Sequence, residues 1–172
     1  EAGASRLPFA VLRGYVGTDF AAVNPEIRSV TCPFTGEELA AVPAINPDIT
    51  FIHALKADRA GNVLIEGITG VQKEAVLAAG KAVVTVEETV DSLDPHPNAL
   101  VLPHWVVTAV AEVPGGAHPS YAHGYYPRDN ATYRAWDAIS ADRARFLDWM
   151  KTHVIDEDAR VFATRVAKLT DG

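Results

Sequence analysis

The fold is decided by the stretch Ile49-Thr-Phe-Ile-His-Ala-Leu55 together with two later segments, Gly70-Val-Gln-Lys-Glu-Ala-Val-Leu-Ala-Ala-Gly80 and Ala82-Val-Val-Thr-Val86. The first and last segments are almost continuously apolar, which is typical of strands covered on both faces in a parallel sheet. The middle segment is rich in helix formers and ends in a glycine suited to a left-handed C-cap. The three segments together predict a strand, helix, strand unit.

Further apolar runs extend this unit in both directions along the chain, at residues 7–12, 99–102 and 105–111. They predict a single α/β domain over residues 1–172, with a mostly parallel sheet flanked by helices. After a Gly-, Pro- and Tyr-rich loop at 114–130, Asn130 is predicted to N-cap one long amphipathic helix that reaches Val154. The loop itself is expected to wrap the sheet or to meet other subunits.

Composition excludes several classes of function. The 172 residues carry a net charge of −7, which disfavours a nucleic-acid backbone or an anionic membrane surface as partner. No apolar run approaches the roughly 20 residues of a membrane span. The first residues show no signal-peptide pattern, and the single cysteine fits a reducing compartment, so a cytoplasmic location is expected.

The turn Thr31-Cys-Pro-Phe-Thr-Gly-Glu37 is one candidate binding segment. Its backbone amides and the hydroxyl of Thr35 are suited to lining a pocket, with Cys32 and Gly36 beside them. The alternative is a plain turn shaped by proline and glycine, in which Cys32 acts as a small hydrophobic residue. A nucleophilic cysteine would need a lowered pKa and a nearby base.

The segment after the first strand is the second candidate. Lys56, Asp58 and Asn62 come where ligands bind in α/β sheets, beyond the carboxyl end of a strand. The same residues also fit a turn in which Asp58 and Asn62 bond to local backbone and Gly61 takes a positive φ. The sequence leaves both interpretations open.

Other titratable residues form weaker patterns. Glu87 and Glu88 are adjacent on a strand and therefore point to opposite faces, so an ion pair with the Lys56 segment is as good an explanation as catalysis. His53 is expected to be a packed, hydrogen-bonded residue. A metal site at His118 and His123 would need ligands from elsewhere, and none is predicted.

Two segments resemble a known family. Lys56-Ala-Asp-Arg-Ala-Gly-Asn62 and Thr85-Val-Glu-Glu88 occur in the order and spacing found in the alpha (A) subunit of the class I acyl-CoA:acceptor CoA-transferases. The turn at 32–37 and the loop at 114–126 resemble the branch that acts on succinyl-CoA and 3-oxoadipate, which is related to glutaconate CoA-transferases. The resemblance runs from Leu7 to about His153.

The resemblance implies a CoA-transferase-like α/β fold and a complex with a beta (B) subunit, often two copies of each. It implies a ping-pong reaction through a glutamyl-CoA thioester whose glutamate lies on the beta subunit, so no catalytic residue is expected on this chain. The substrates would be an acyl-CoA and a dicarboxylic 3-oxo acid, without a metal or a permanently bound cofactor. Substrate contacts are expected from Cys32, Thr35, Gly36, Lys56, Asp58 and Asn62. The glycine-rich stretch that opens such alpha subunits is absent, so the chain is expected to be the C-terminal part of one and inactive on its own.

Two alternatives remain. The ring-opening acyl-CoA hydrolases of the same superfamily share the L-P-F and P-G-G-A-H stretches seen at residues 7–9 and 114–118. A non-catalytic module that binds a partner protein is the other, because the chain holds no complete catalytic set and its last helix carries an aromatic stripe.

Overall fold

A computed structural model of the chain describes residues 1–158, 161–162 and 164, and these form two β-sheets with helices. The strands are β1 (Phe9–Leu12), β2 (Arg28–Thr31), β3 (Glu38–Pro43), β4 (Ile49–Asp58), β5 (Val63–Ile65), β6 (Lys81–Val90), β7 (Leu100–Leu102) and β8 (Ala109–Glu112). The helices are α1 (Asp19–Val23), α2 (Gln72–Ala78), α3 (Asn130–Ser140) and α4 (Arg143–Met150), with a 3-10 turn at His104–Val106 and a π-helical turn at Lys151–Ile155. The predicted α/β class is confirmed.

The larger sheet is mixed, with strand order β7-β5-β4-β6-β8. Strands β4, β6 and β8 are parallel, whereas β5 and β7 run antiparallel to their neighbours. Only residues 59–62 join β4 to β5, and a parallel connection needs a dozen or more residues. The prediction of a mostly parallel sheet is therefore wrong.

The apolar run at 7–12 is not part of the larger sheet. Strand β1 pairs with β3 in a separate antiparallel sheet of order β1-β3-β2. A short linker joins β2 to β3, which again enforces an antiparallel arrangement.

The unit formed by β4, α2 and β6 is present as predicted. Ala54, Val76 and Val84 from the three elements are each at most 3% exposed and belong to one core cluster. The C-cap prediction is wrong, because α2 is capped by the extended residue Ala79 and Gly80 does not have a positive φ. Gly80 instead allows a close approach, since a Cβ there would lie 3.1 Å from the carbonyl oxygen of Asp48.

The sheet face opposite α2 is partly open. Ile49 and Phe51 lie on it, and they are 47% and 73% exposed. The expectation that both faces of these strands are covered is wrong at these two positions.

The predicted long terminal helix is two helices. Asp142, two residues after the end of α3, accepts a hydrogen bond from the backbone N–H of Arg145 at 2.9 Å and thereby caps α4. The aromatic stripe packs mainly on itself, with Trp136 of α3 against Phe146 and Trp149 of α4 at ring-centroid distances of 6.2 and 4.9 Å. No residue of α3 or α4 is buried.

The N-cap of α3 is Asp129 and not Asn130. Its Oδ1 accepts from the backbone N–H groups of Ala131 and Thr132, both at 3.0 Å. Its Oδ2 accepts from the Thr132 hydroxyl at 2.6 Å and from His118 Nε2 at 3.2 Å. These bonds, led by the one from the Thr132 hydroxyl, hold the pKa of Asp129 far below its ordinary value.

Replacing Asp129 with alanine is expected to lower the free energy of unfolding at pH 7 by about 1–2 kcal/mol, the cost of losing a good N-cap. A carboxyl whose pKa is depressed by folding stabilises above its unfolded pKa and loses this contribution as the pH falls towards the folded pKa. The difference in unfolding free energy between the wild type and the Asp129→Ala variant should therefore become smaller below about pH 4. Urea unfolding across pH is the measurement. Asp137→Ala on the exposed face of α3 is the control, and an equal loss there would contradict the capping role.

In the part of the chain that the structure describes, no helix is long and apolar enough to cross a membrane.

Candidate functional site

A polar cluster runs from the middle of β4 and β6 to their carboxyl ends. In the parallel register of these strands, His53 lies beside Thr85 at mid-strand, and Lys56 lies beside Glu88 nearer the ends. Ligands of α/β sheets bind beyond the carboxyl ends of the strands, on the side of Lys56 and Glu88. The cluster divides into a buried half and an exposed half.

The buried half is centred on Glu87, whose side chain is only 3% exposed. Its Oε1 lies 2.6 Å from His53 Nε2 and accepts from the Tyr126 hydroxyl at 2.5 Å. Its Oε2 accepts from the backbone N–H of Gly115 at 2.6 Å. The other ring nitrogen of His53 lies 2.8 Å from the Thr85 hydroxyl, so both ends of the imidazole are fixed.

This network ties the 114–130 loop to the sheet. The Tyr126 hydroxyl accepts from the backbone N–H of Ala117 at 3.0 Å while donating to Glu87. Burial, followed by the bond to Glu87, raises the pKa of Tyr126, so its hydroxyl stays protonated and remains a donor. The loop therefore closes over the end of β6, as expected for a segment that wraps the sheet.

The exposed half contains Lys56, Glu88 and Tyr125. Lys56 Nζ lies 3.1 Å from Glu88 Oε2, and the Tyr125 hydroxyl donates to the same oxygen at 2.9 Å. The bond from Lys56, followed by that from Tyr125, lowers the pKa of Glu88. Glu88 is thus a fixed, solvent-facing carboxylate that could orient a ligand bearing N–H or O–H groups.

Asp58 and Asn62 form the turn between β4 and β5. Asp58 Oδ1 accepts from the backbone N–H groups of Ala60 and Asn62, and Oδ2 accepts from Asn62 Nδ2 at 2.7 Å. Gly61 has a φ of 90°, and Asn62 Oδ1 accepts from the backbone N–H of His104 at 2.9 Å. The sequence left open a locally bonded turn and a ligand-binding segment. These contacts are those of the turn, and substrate contact by Asp58 and Asn62 stays a prediction.

The turn at Cys32 is a hairpin connection between β2 and β3. Gly36 has a φ of 72° and donates its N–H to the Cys32 carbonyl at 2.9 Å. The bond with the Thr35 hydroxyl, followed by backbone bonds from Phe34 and Thr35, lowers the pKa of the Cys32 thiol. No hydrogen bond or ion pair among the described residues joins this turn to Lys56, and its role in binding also stays a prediction.

His118 and His123 do not form a shared site. His118 bonds to Asp129 at 3.2 Å, beside the start of α3. Within residues 1–158, 161–162 and 164, no three His, Cys, Asp or Glu side chains come together as metal ligands. That the protein works without a permanently bound cofactor stays a prediction.

The chain matches a known protein family. Residues 1–113 match the family described as Coenzyme A transferase. The chain belongs to the coenzyme A transferase family. The predicted membership in this family is confirmed.

This coenzyme A transferase chain is similar to two relatives in sequence and to one solved structure in fold. It is 57% identical over 171 residues to the alpha (A) subunit of 3-oxoadipate CoA-transferase of Pseudomonas knackmussii, covering 99% of the chain and 60% of that protein. It is 34% identical over 146 residues to the cholesterol ring-cleaving hydrolase IpdA subunit of Rhodococcus jostii, covering 78% of the chain and 49% of that protein. The crystal structure of glutaconate coenzyme A-transferase from Acidaminococcus fermentans superposes with a TM-score of 0.85 at 27% identity, covering 98% of the chain and 60% of that one. The chain therefore spans about half to three fifths of the length of these relatives.

The sequence predicted part of this candidate site. His53 is a packed, hydrogen-bonded residue as expected, and Glu87 and Glu88 do point to opposite faces, one buried and one exposed. The ion pair that was left open for one of these glutamates with the Lys56 segment is present, and it joins Glu88 to Lys56. The contacts of Glu87 with His53 and Tyr126 were missed. The available signal was a polar residue on each of two neighbouring apolar strands, which in a sheet must find a partner.

Proposed function

We propose that this chain is the C-terminal part of the alpha subunit of a heteromeric CoA-transferase that moves CoA from succinyl-CoA to 3-oxoadipate or a related 3-oxo acid. The observation that carries the proposal is the 57% identity over 171 residues to a protein with that name. On this proposal the complex contains a beta subunit, works in the breakdown of aromatic compounds, and most simply has two copies of each chain.

The contacts of Glu87 and Glu88 are in keeping with a nucleophile on the other subunit. Glu87 is enclosed by three hydrogen bonds, and a buried, fully bonded carboxylate cannot reach a thioester carbonyl. Glu88 is accessible but shares one oxygen with Lys56 and Tyr125, which lowers its nucleophilicity. In the proposed ping-pong reaction, a glutamate of the beta subunit performs the attack on the thioester, and this chain contributes to the walls that bind the substrates.

The test is exchange of CoA by the full-length chain co-expressed with its beta subunit. Succinyl-CoA and 3-oxoadipate are mixed with the complex, and 3-oxoadipyl-CoA and succinate are measured by chromatography. We expect both products in equal amounts and none with either chain on its own. Absence of a 3-oxoacyl-CoA product from 3-oxoadipate and from related 3-oxo acids offered in turn, or its formation by one chain without the other, would overturn the proposal.

A ring-opening hydrolase is the second candidate, favoured by the 34% identity to the Rhodococcus jostii hydrolase. A ring-opening hydrolase adds water across a carbon–carbon bond of the ring, so its product keeps the CoA thioester and no acid acceptor is needed. Opening of a cyclic acyl-CoA without an acceptor, with the CoA still attached to the product, would therefore select this candidate and reject the transferase.

A further inference from the structure

The 114–130 loop is held to the sheet by a side chain that can take up a proton. Glu87 Oε1 accepts from the Tyr126 hydroxyl at 2.5 Å, and Glu87 Oε2 accepts from the backbone N–H of Gly115 at 2.6 Å. Glu87 Oε1 also lies 2.6 Å from His53 Nε2. Two of the three groups bonded to this carboxylate therefore belong to the loop, and the third belongs to β4.

The network around Glu87 has room for one added proton but not for two. A first proton can bind to His53 Nδ1, which would then donate to the Thr85 hydroxyl 2.8 Å away, and that hydroxyl lies 3.4 Å from the Ile52 carbonyl oxygen. A second proton has to bind to Glu87, and it turns a carboxylate oxygen into a donor among groups that already donate to it. The imidazolium of His53, whose side chain is only 15% exposed, would then have lost its counterion. The second proton therefore breaks the network.

His53 is the only side chain of the described residues that forms an ion pair with Glu87. Other titratable side chains on the surrounding elements are Lys56 on β4, Glu66 after β5, Glu88 on β6, Glu112 on β8, and His118 and His123 in the loop. Lys56 pairs with Glu88, Glu112 accepts from the backbone N–H of Thr89, and His118 bonds to Asp129. No lysine or arginine in the described ranges bonds to Glu87 in place of His53.

Packing transmits a change at His53 and Glu87 to the loop backbone. Gly116 lies directly on the imidazole, since a Cβ there would be 2.7 Å from His53 Cε1. The remaining contact is apolar, with Ala122 and Tyr126 packed on Leu55 of β4. This apolar contact does not depend on pH. Loss of the Glu87 bonds would therefore loosen the loop without unfolding the sheet.

We propose that the 114–130 loop is a pH-sensitive cover of the sheet, closed while Glu87 is ionised and opened when Glu87 takes up a proton. Opening would expose His53 and Leu55 to solvent. It would also withdraw Tyr125 from Glu88, so the change would reach the exposed half of the polar cluster. The proposal does not depend on the proposed function, because every group in it belongs to this chain.

The test is amide hydrogen exchange of the full-length protein, with its beta subunit bound if the two co-purify. Exchange is followed by NMR or mass spectrometry from about pH 7 to about pH 4.5, a range in which imidazole and carboxyl groups take up protons. Rates are divided by those of an unstructured peptide at the same pH, which gives a protection factor for each N–H.

We expect the protection of the Gly115 and Ala117 N–H groups to fall at least about 10-fold on acidification, since a hydrogen bond to a charged group is worth that much. Val113 is the internal control, because its N–H donates to the Val86 carbonyl oxygen at 2.8 Å. Its protection should change by less than about 2-fold if the loop opens locally.

Glu87→Gln keeps the size of the side chain and removes the titrating group. The Gly115 N–H should be less protected in this variant at neutral pH and should show no further loss in acid. Glu88→Gln is the matched control on the exposed side and should keep the pH dependence of the wild type. Tyr126→Phe covers the case in which Glu87→Gln fails to fold. It should lower the protection of Ala117, whose N–H bonds to the Tyr126 hydroxyl, and leave the acid-dependent loss at Gly115.

Three results would overturn the proposal. Equal protection of the Gly115 N–H at both ends of the pH range would mean that the loop stays closed when protons bind. An acid-dependent loss that persists in Glu87→Gln would place the titrating group elsewhere, with His118 and Asp129 as the next pair to test. A loss at Val113 as large as that at Gly115 would mean that acid unfolds the sheet. Because the readout is exchange at named amides, failure of CoA exchange leaves this test unaffected.

Discussion

Replacing Glu87 with alanine is expected to lower the free energy of unfolding by about 3–5 kcal/mol, the usual cost of removing one partner from a buried charged network. Three groups lose their acceptor at once: His53 Nε2, the Tyr126 hydroxyl and the backbone N–H of Gly115. Gly115 and Tyr126 are buried and the His53 side chain is only 15% exposed, so water has little access to replace the carboxylate. The measurement is urea unfolding monitored by far-UV circular dichroism and by tyrosine and tryptophan fluorescence.

The neighbouring residue provides the matched control. Glu88 has the same side chain, but that side chain is 48% exposed and its ion pair with Lys56 is solvated. Glu88→Ala should therefore change the free energy of unfolding by at most about 1 kcal/mol. Similar losses for the two variants would show that the network around Glu87 does not anchor the loop.

Much of the fold follows from local sequence signals. The apolar runs of β4 and β6 and the helix formers of α2 identify the central unit, because each signal extends over a whole element. The direction of β5 does not follow from its own residues. It follows from the tight turn made by Asp58 and Asn62, a turn that the sequence left equally open to a binding role.

The terminal helices show a second limit of sequence patterns. Apolar residues keep helical spacing across Asp142, so periodicity alone predicts one helix. Asp142 ends that helix because its carboxylate bonds the Arg145 backbone N–H and caps a new one. A capping residue inside an amphipathic pattern can divide a helix in two, and the spacing of apolar residues does not show this.

For the candidate site, the sequence predicted properties of His53, Glu87 and Glu88 and an ion pair with the Lys56 segment, but not the contacts of Glu87. That His53 would be hydrogen-bonded and that Glu87 and Glu88 would diverge follow from strand geometry within one segment. The contact of His53 with Glu87 depends on the register between β4 and β6, and that of Tyr126 depends on the path of a loop 39 residues away in sequence. Neither contact of Glu87 can therefore be predicted from the residues of a single strand or loop.

Replacing Gly116 with alanine is expected to cost about 1–3 kcal/mol of unfolding free energy, towards the upper end of that range for overpacking. A Cβ there would lie 2.7 Å from both Cε1 and Nδ1 of His53 and 3.0 Å from the Val113 carbonyl oxygen. The imidazole cannot yield, because Thr85 and Glu87 fix its two nitrogens.

Relief of the clash therefore requires either breaking the bond between His53 and Glu87 or lifting the loop from the sheet. Gly14→Ala is the control, since Gly14 has no positive φ and a Cβ at that position would have nothing within 4 Å in the described part of the chain. That change should be neutral or stabilising by up to about 1 kcal/mol through the unfolded state. If Gly116→Ala changed the unfolding free energy as little as Gly14→Ala does, the loop would have space for a methyl group beside His53. The imidazole would then not be fixed in place, and the three hydrogen bonds of Glu87 would not anchor the loop.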